Sequence, residues 1–246
     1  MSINDVSLSS IVWKQYQYKQ KSYVGIYVSL MVLQLISVLF GIDGSVFFTG
    51  GGMDNFNFYM NYFSSDMAII FTVIWGGISA ALITTKGYWL ENFMFVTNRL
   101  SNHLSNITFL VSISIIGGIT ALLTKYVNVS IHYILGRDPL IRMSNLGGHE
   151  ILAGIIATVL YILFACAIGY LYGIILKMNR LIAILIPVLL IGFGIVGNND
   201  GELYGAVFSY FFQENSIILF MIKVIGAIGI LFSFAILLSN KKEELR

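Results

Sequence analysis

The residues of this chain that could do chemistry are few and poorly spaced for it. His103, His132 and His149 are scattered. His149-Glu150 begins like the zinc-binding helix His-Glu-x-x-His but lacks the second histidine, so no metal site is expected. Ser79 follows Gly76-Gly77-Ile78 without the Gly-x-Ser-x-Gly frame that presents a nucleophile. Gly50-Gly51-Gly52 is not followed by the Gly-Lys-Ser/Thr that cradles a phosphate at a helix start. Glu243-Glu244 lies on a short charged tail and reads as a solvated end, not an acid–base pair. The lone cysteine, Cys166, sits in an apolar run and cannot form a disulfide within one chain. No catalytic residue is expected, and the chain does not read as an enzyme.

The elements that must position these residues follow from hydropathy. Hydrophobic residues make up 57% of the 246-residue chain and charged residues 11%, against about 25% charged in a soluble domain. Six runs of spanning length appear near Tyr23–Phe40, Met67–Thr85, Leu104–Leu123, Ile151–Leu176, Leu181–Val196 and Ile217–Leu238. Only helices satisfy every backbone group in lipid without a closed barrel, and the runs lack barrel-type alternation. The expected fold is therefore all-α, a single polytopic membrane domain over residues 1–246 with six transmembrane helices. Residues 1–22 read equally as an amphipathic interfacial helix or as a basic flank, since Val6, Leu8, Ile11, Val12, Trp13, Tyr16 and Tyr18 interleave with Lys14, Lys19 and Lys21. This stretch is too long and polar for a cleavable signal peptide.

Counting Lys and Arg orients the chain. With both termini cytoplasmic, ten fall inside, three (Lys125, Arg137 and Arg142) outside, and Lys223 within the sixth span, which accounts for all 14. The expected location is the plasma membrane, multi-pass. Between the spans, Gly41 to Asp66 and Tyr126 to Gly148 read as outer loops. The apolar stretch around Gly201–Phe212, within 198–215, reads as a segment dipping into the outer leaflet. A net charge of +2 held beside apolar runs gives no nucleic-acid surface.

Inside the spans, a few residues stand out. Gln34 carries an amide into the first span, where it needs a partner and is expected to face protein, within one subunit, at a subunit interface or toward a translocation path. Pro187 interrupts the fifth span, followed by Gly192, Gly194 and Gly197; such breaks occur both as plain kinks and at transport sites. Lys223 lies six residues into the sixth span, where it either snorkels to the headgroups or pairs with an acidic group at an outer gate. Small residues repeat every fourth position: Gly76 with Ala80 and Gly77 with Ala81 in the second span, and Ala165, Gly169 and Gly173 in the fourth. These stripes let helices approach closely, within a subunit or between subunits.

The longest cytoplasmic connection is 86–103, with polar Glu91, Asn92, Thr97, Asn98, Arg99 and His103 among bulky Tyr88, Trp89, Phe93 and Phe95. Aromatics beside charges suit a short helix at the membrane–water boundary, and Glu91, Phe93, Phe95, Asn98 and Arg99 are the expected docking surface for a cytoplasmic partner. This set of features resembles the ABC-2-type permease family, the membrane subunits of ATP-binding cassette exporters. At residue level the likeness rests on Glu91 to Asn106, where Phe-Val-Thr-Asn-Arg-Leu-Ser-Asn-His-Leu-Ser-Asn is similar to the coupling-helix region of small Gram-positive members. The resemblance implies two permease subunits, as a homo- or heterodimer, with a dimer of cytoplasmic ATPases that alone binds ATP and Mg. It implies no cofactor on this chain. The family includes exporters of polysaccharides, lipids, drugs and amphipathic peptides, and the compact sequence without a large outer domain points to an amphipathic peptide or lipid-like substrate, for export or self-immunity. The reading from a different class is a non-transporting sensor or assembly subunit whose cytoplasmic elbow binds a regulator.

Overall fold

The computed structural model describes residues 7–41, 52–53, 56–57, 65–85, 99–136, 148–179, 181–182, 185, 187 and 216–244. Six long helices dominate: α1 (Leu8–Ser22), α2 (Val24–Gly41), α3 (Asp66–Ile83), α4 (Arg99–Ile134), α5 (Gly148–Met178) and α6 (Ile217–Glu244). A two-residue ladder, β1 (Gly52–Met53) against β2 (Phe56–Asn57), is antiparallel. All of the long helices except α1 are long and apolar enough to cross a membrane. The protein is an all-α, polytopic membrane protein. The greater part of the expected fifth span, residues 86–98 of the expected cytoplasmic segment 86–103 and the expected membrane-dipping segment 198–215 lie outside the described residues, while 99–103 form the start of α4.

Composition explains each outward face. On α2, Met31, Leu35 and Leu39 are exposed while Ile26, Leu30 and Val38 are buried, the inside-out polarity of a helix whose solvent is hydrocarbon. The core joins five of the helices through Leu30, Trp75, Phe109, Ile162, Tyr170, Val224 and Phe232, with Tyr23 at the α1–α2 junction. Aromatic edges close its gaps, with Tyr23 on Phe109 at 5.5 Å and Tyr170 on Phe232 at 5.8 Å between ring centroids.

The two small-residue stripes face each other within this one chain. A Cβ at Gly169 would collide with the Gly77 carbonyl, and one at Gly173 would meet the Ala81 carbonyl oxygen at 2.7 Å. Gly76 lies close against Ile162 and Cys166. Helices α3 and α5 thus touch backbone to backbone, where dispersion and close packing supply the attraction that lipid does not.

The third span differs from the expectation. Hydropathy places it at Leu104–Leu123 with a loop from Tyr126, yet α4 runs unbroken for 36 residues, from Arg99 to Ile134. Its length is about 54 Å at 1.5 Å per residue, well beyond the roughly 30 Å of hydrocarbon. No glycine or proline interrupts residues 119–135, and the helix stops where Gly136 takes a φ of 63°, the left-handed conformation that glycine adopts without penalty. Near the middle of α4, Gly117 and Gly118 bring it against both neighbours. A Cβ at Gly117 would meet Thr72 of α3 at 3.1 Å, and one at Gly118 would meet Val159 of α5 at 2.7 Å.

Candidate functional site

The most unusual chemistry lies where α1 rests on the first turns of α4. Leu8–Ser22 turns at Tyr23 directly into α2, so α1 is tethered at one end and must be held by its own face. That face presents Gln15 and Lys19, one helical turn apart and both buried, at 2% and 0% exposure. A fully buried lysine is rare unless its charge is paired. Here Lys19 Nζ reaches Asn106 Oδ1 at 2.5 Å, Ser105 Oγ at 2.6 Å and Asn102 Oδ1 at 2.8 Å, with the Asn102 carbonyl at 3.4 Å. Every acceptor is neutral, and Lys19 has no acidic partner among the described residues.

The spacing on α4 makes the cradle possible. Residues 102, 105 and 106 stand at i, i+3 and i+4, so they share one face. The Ser105 hydroxyl donates to the Asn102 carbonyl at 2.9 Å, which leaves its lone pairs toward the lysine. Asn106 Nδ2 donates to the Tyr170 hydroxyl at 3.2 Å, which turns its Oδ1 the other way, toward Lys19. Having accepted that bond, Tyr170 can give its own proton to His103 Nδ1 at 2.7 Å, and His103 Nε2 then donates to Ser239 Oγ at 3.1 Å. One continuous set of hydrogen bonds therefore joins α1, α4, α5 and α6.

The energetics of this node oppose one another. Removing an ammonium from water costs several kcal/mol even after relaxation, and burial pushes the Lys19 ammonium down to about 7. Hydrogen bonds from a charged donor return about 1.5–3 kcal/mol each, and three short ones are present. The charge is thus tolerated but not neutralised. Gln15 adds to the cost, since both of its amide atoms are buried without a hydrogen-bond partner among the described residues.

The residues singled out from sequence are dispersed. Gln34 is half-buried between three helices; its amide donates to Thr120 Oγ1 at 3.0 Å and lies 3.4 Å from both Thr72 Oγ1 and the Gly117 carbonyl. Nearby, Trp75 Nε1 donates to Ser29 Oγ at 2.9 Å. Lys223 is half-buried on α6, which packs mainly on α5, and is not without a partner. Pro187 is half-buried in helical backbone. Arg99 opens α4, whereas Glu91, Phe93, Phe95 and Asn98 lie outside the described residues.

The sequence does not announce the node itself. Lys19 reads there as a charge that orients the first span, Asn102 as part of the polar connection 86–103, and Ser105 and Asn106 as the first residues of the third span. The signal that could have found them is their i, i+3, i+4 register, which gives a helix a polar stripe facing whatever packs on it. No group of three or more His, Cys, Asp or Glu side chains that could hold a metal occurs among the described residues. Compared with protein-family models, curated proteins and solved structures, the chain matches none of them.

Proposed function

We propose that this chain is the membrane-spanning permease subunit of an ATP-driven ABC-2-type exporter, working on an amphipathic peptide or lipid-like substrate. The observation that carries the reading is the polar node, which fastens an amphipathic N-terminal helix to the start of α4, immediately after the 86–98 connection. Such an arrangement gives a partner at that connection a hold on several helices at once. The sequence has no nucleotide-binding motif, so ATP and Mg belong to a separate ATPase dimer, and the termini lie in the cytoplasm with it. Glu91, Phe93, Phe95, Asn98 and Arg99 form the docking surface in this reading. Gln34, Pro187 and Lys223 are the candidates for the translocation path or gate, in a dimer of permease subunits.

Affinity purification in mild detergent tests the proposal. The tagged chain should retain a Walker-motif ATPase, and combined charge reversal, Glu91→Lys with Arg99→Glu, should reduce that retention at least tenfold while membrane insertion stays normal. Retention of a kinase, or of no partner, assigns the chain instead to a non-transporting sensor or assembly subunit.

A further inference from the structure

Lys19 is a buried titratable group whose hydrogen bonds the transport reading uses but whose titration it leaves unused. Its helix is joined covalently to α2 at one end, lies outside the spanning set, and packs chiefly on α4. The contact that holds it is built around a cation with no counter-charge among the described residues. We propose that Lys19 is a protonation-controlled latch: α1 seats most tightly on α4 when Lys19 is a neutral amine, and acidification of the compartment that α1 faces loosens it.

The cradle serves both protonation states, but unequally. An ammonium uses three donors on Asn102 Oδ1, Ser105 Oγ and Asn106 Oδ1. A neutral amine keeps two donors and gains a lone pair. Ser105 and Asn106 are fixed as acceptors by their own bonds to the Asn102 carbonyl and to Tyr170. Asn102 has no such constraint and is only half-buried, so rotating its carboxamide offers Nδ2 to the amine lone pair. The hydrogen-bond count is therefore kept on deprotonation, while the cost of burying an uncompensated charge disappears.

The surroundings reinforce that sign. On α4 the nearest titratable groups are His103, whose two nitrogens are engaged by Tyr170 and Ser239, and Arg99 at the helix start. From α5 comes Tyr170, reached through Asn106, and on α1 and its junction with α2 lie Tyr16, Lys21 and Tyr23. Tyr16 bonds Ser112 at 2.8 Å and Tyr23 packs on Phe109. None of these groups carries a negative charge near neutrality.

Linkage gives the size of the effect. An exposed lysine titrates near 10.5, and burial brings Lys19 to about 7. Between those values the unseated state binds more protons than the seated one, so seating strengthens as pH rises, by up to about tenfold per pH unit. It is weakest, and independent of pH, below about 7.

Hydrogen exchange on the full-length protein in nanodiscs reads the latch. Protection factors of the α1 amides, corrected for intrinsic rates, are measured from pH 6 to pH 9 beside those of α5 as a control. In the wild type, α1 protection should rise toward tenfold per unit above pH 7 while α5 stays level. Lys19→Met, a neutral side chain of similar length that forgoes the three hydrogen bonds, should give α1 a protection that does not change with pH. Lys19→Arg, permanently charged, should hold it low at every pH. Protection of wild-type α1 that is flat across the range, or that falls as pH rises, overturns the proposal. So does a Lys19→Met variant that retains the wild-type pH dependence.

Discussion

The α3–α5 contact and the seat of α1 on α4 join helices by opposite means. In the first, glycine and alanine remove side chains so that backbone meets backbone at Gly77–Gly169 and Ala81–Gly173. The atoms that meet at these two points are backbone atoms, which carry no titratable charge, and the strength of the contact comes from shape. In the second, a long charged side chain crosses the gap and is met by three amide and hydroxyl oxygens. Its strength is a small difference between a large desolvation cost and several good hydrogen bonds, and so depends on the solution. The difference teaches which parts of the bundle are fixed framework and which part can respond to conditions.

Substitutions break the two contacts on different scales. The largest loss should come from Gly169→Leu, because the new side chain has to enter space held by the Gly77 backbone. Overpacking of a core costs about 1–3 kcal/mol where neighbours can yield, and a facing backbone cannot. The variant should lose its monodisperse peak on size-exclusion chromatography altogether, at any pH. A smaller loss should follow from Asn106→Ala, which takes one acceptor from Lys19 and the donor from Tyr170. A buried partner left unsatisfied costs about 1–3 kcal/mol. Thermal unfolding in detergent should show the loss clearly at pH 6.5 and less at pH 9, where the amine needs fewer acceptors. If Asn106→Ala lowers the melting temperature equally at both pH values, the contrast between the two contacts fails. The smallest effect should be that of Gln34→Leu, which removes a bond to Thr120 inside the membrane-spanning bundle. Such bonds average about 0.6 kcal/mol, so the melting temperature should fall by only about a degree or two, with no dependence on pH.

Much of the framework is legible in the sequence because shape complementarity leaves a periodic trace. Gly76, Gly77, Ala80 and Ala81 on one helix and Ala165, Gly169 and Gly173 on another stand out as stripes in the bare order of residues. What that order withholds is that each stripe's partner is the other. The length of α4 is hidden for a different reason. Tyr126 to Ile134 mixes Asn128, Ser130 and His132 with apolar residues, so hydropathy falls there although no breaker occurs before Gly136. Hydropathy reports solvent and does not report helicity. Lys19 is easily misread because a lysine beside a span ordinarily stays in water, and only the tertiary seat on α4 shows it buried. The candidate docking residues Glu91, Phe93, Phe95 and Asn98 rest on the sequence, through their mixed aromatic and polar pattern and the family resemblance.

The position of Gly117 and Gly118 gives α4 a mechanical character. They lie at the midpoint of Arg99–Ile134 and press the helix against α3 on one side and α5 on the other. The cradle for Lys19 occupies the first two turns, and buried Asn128 and His132 occupy the last two. The glycine pair is where both neighbours crowd the backbone of α4, so a tilt of this stiff rod would turn about it. A tilt of about 5° swings each end of a helix this long by about 2 Å, in opposite directions. With α4 turning in that way, a push on the seat of α1 would reach the other end of α4 reversed in sense, without any bend in the helix that carries it.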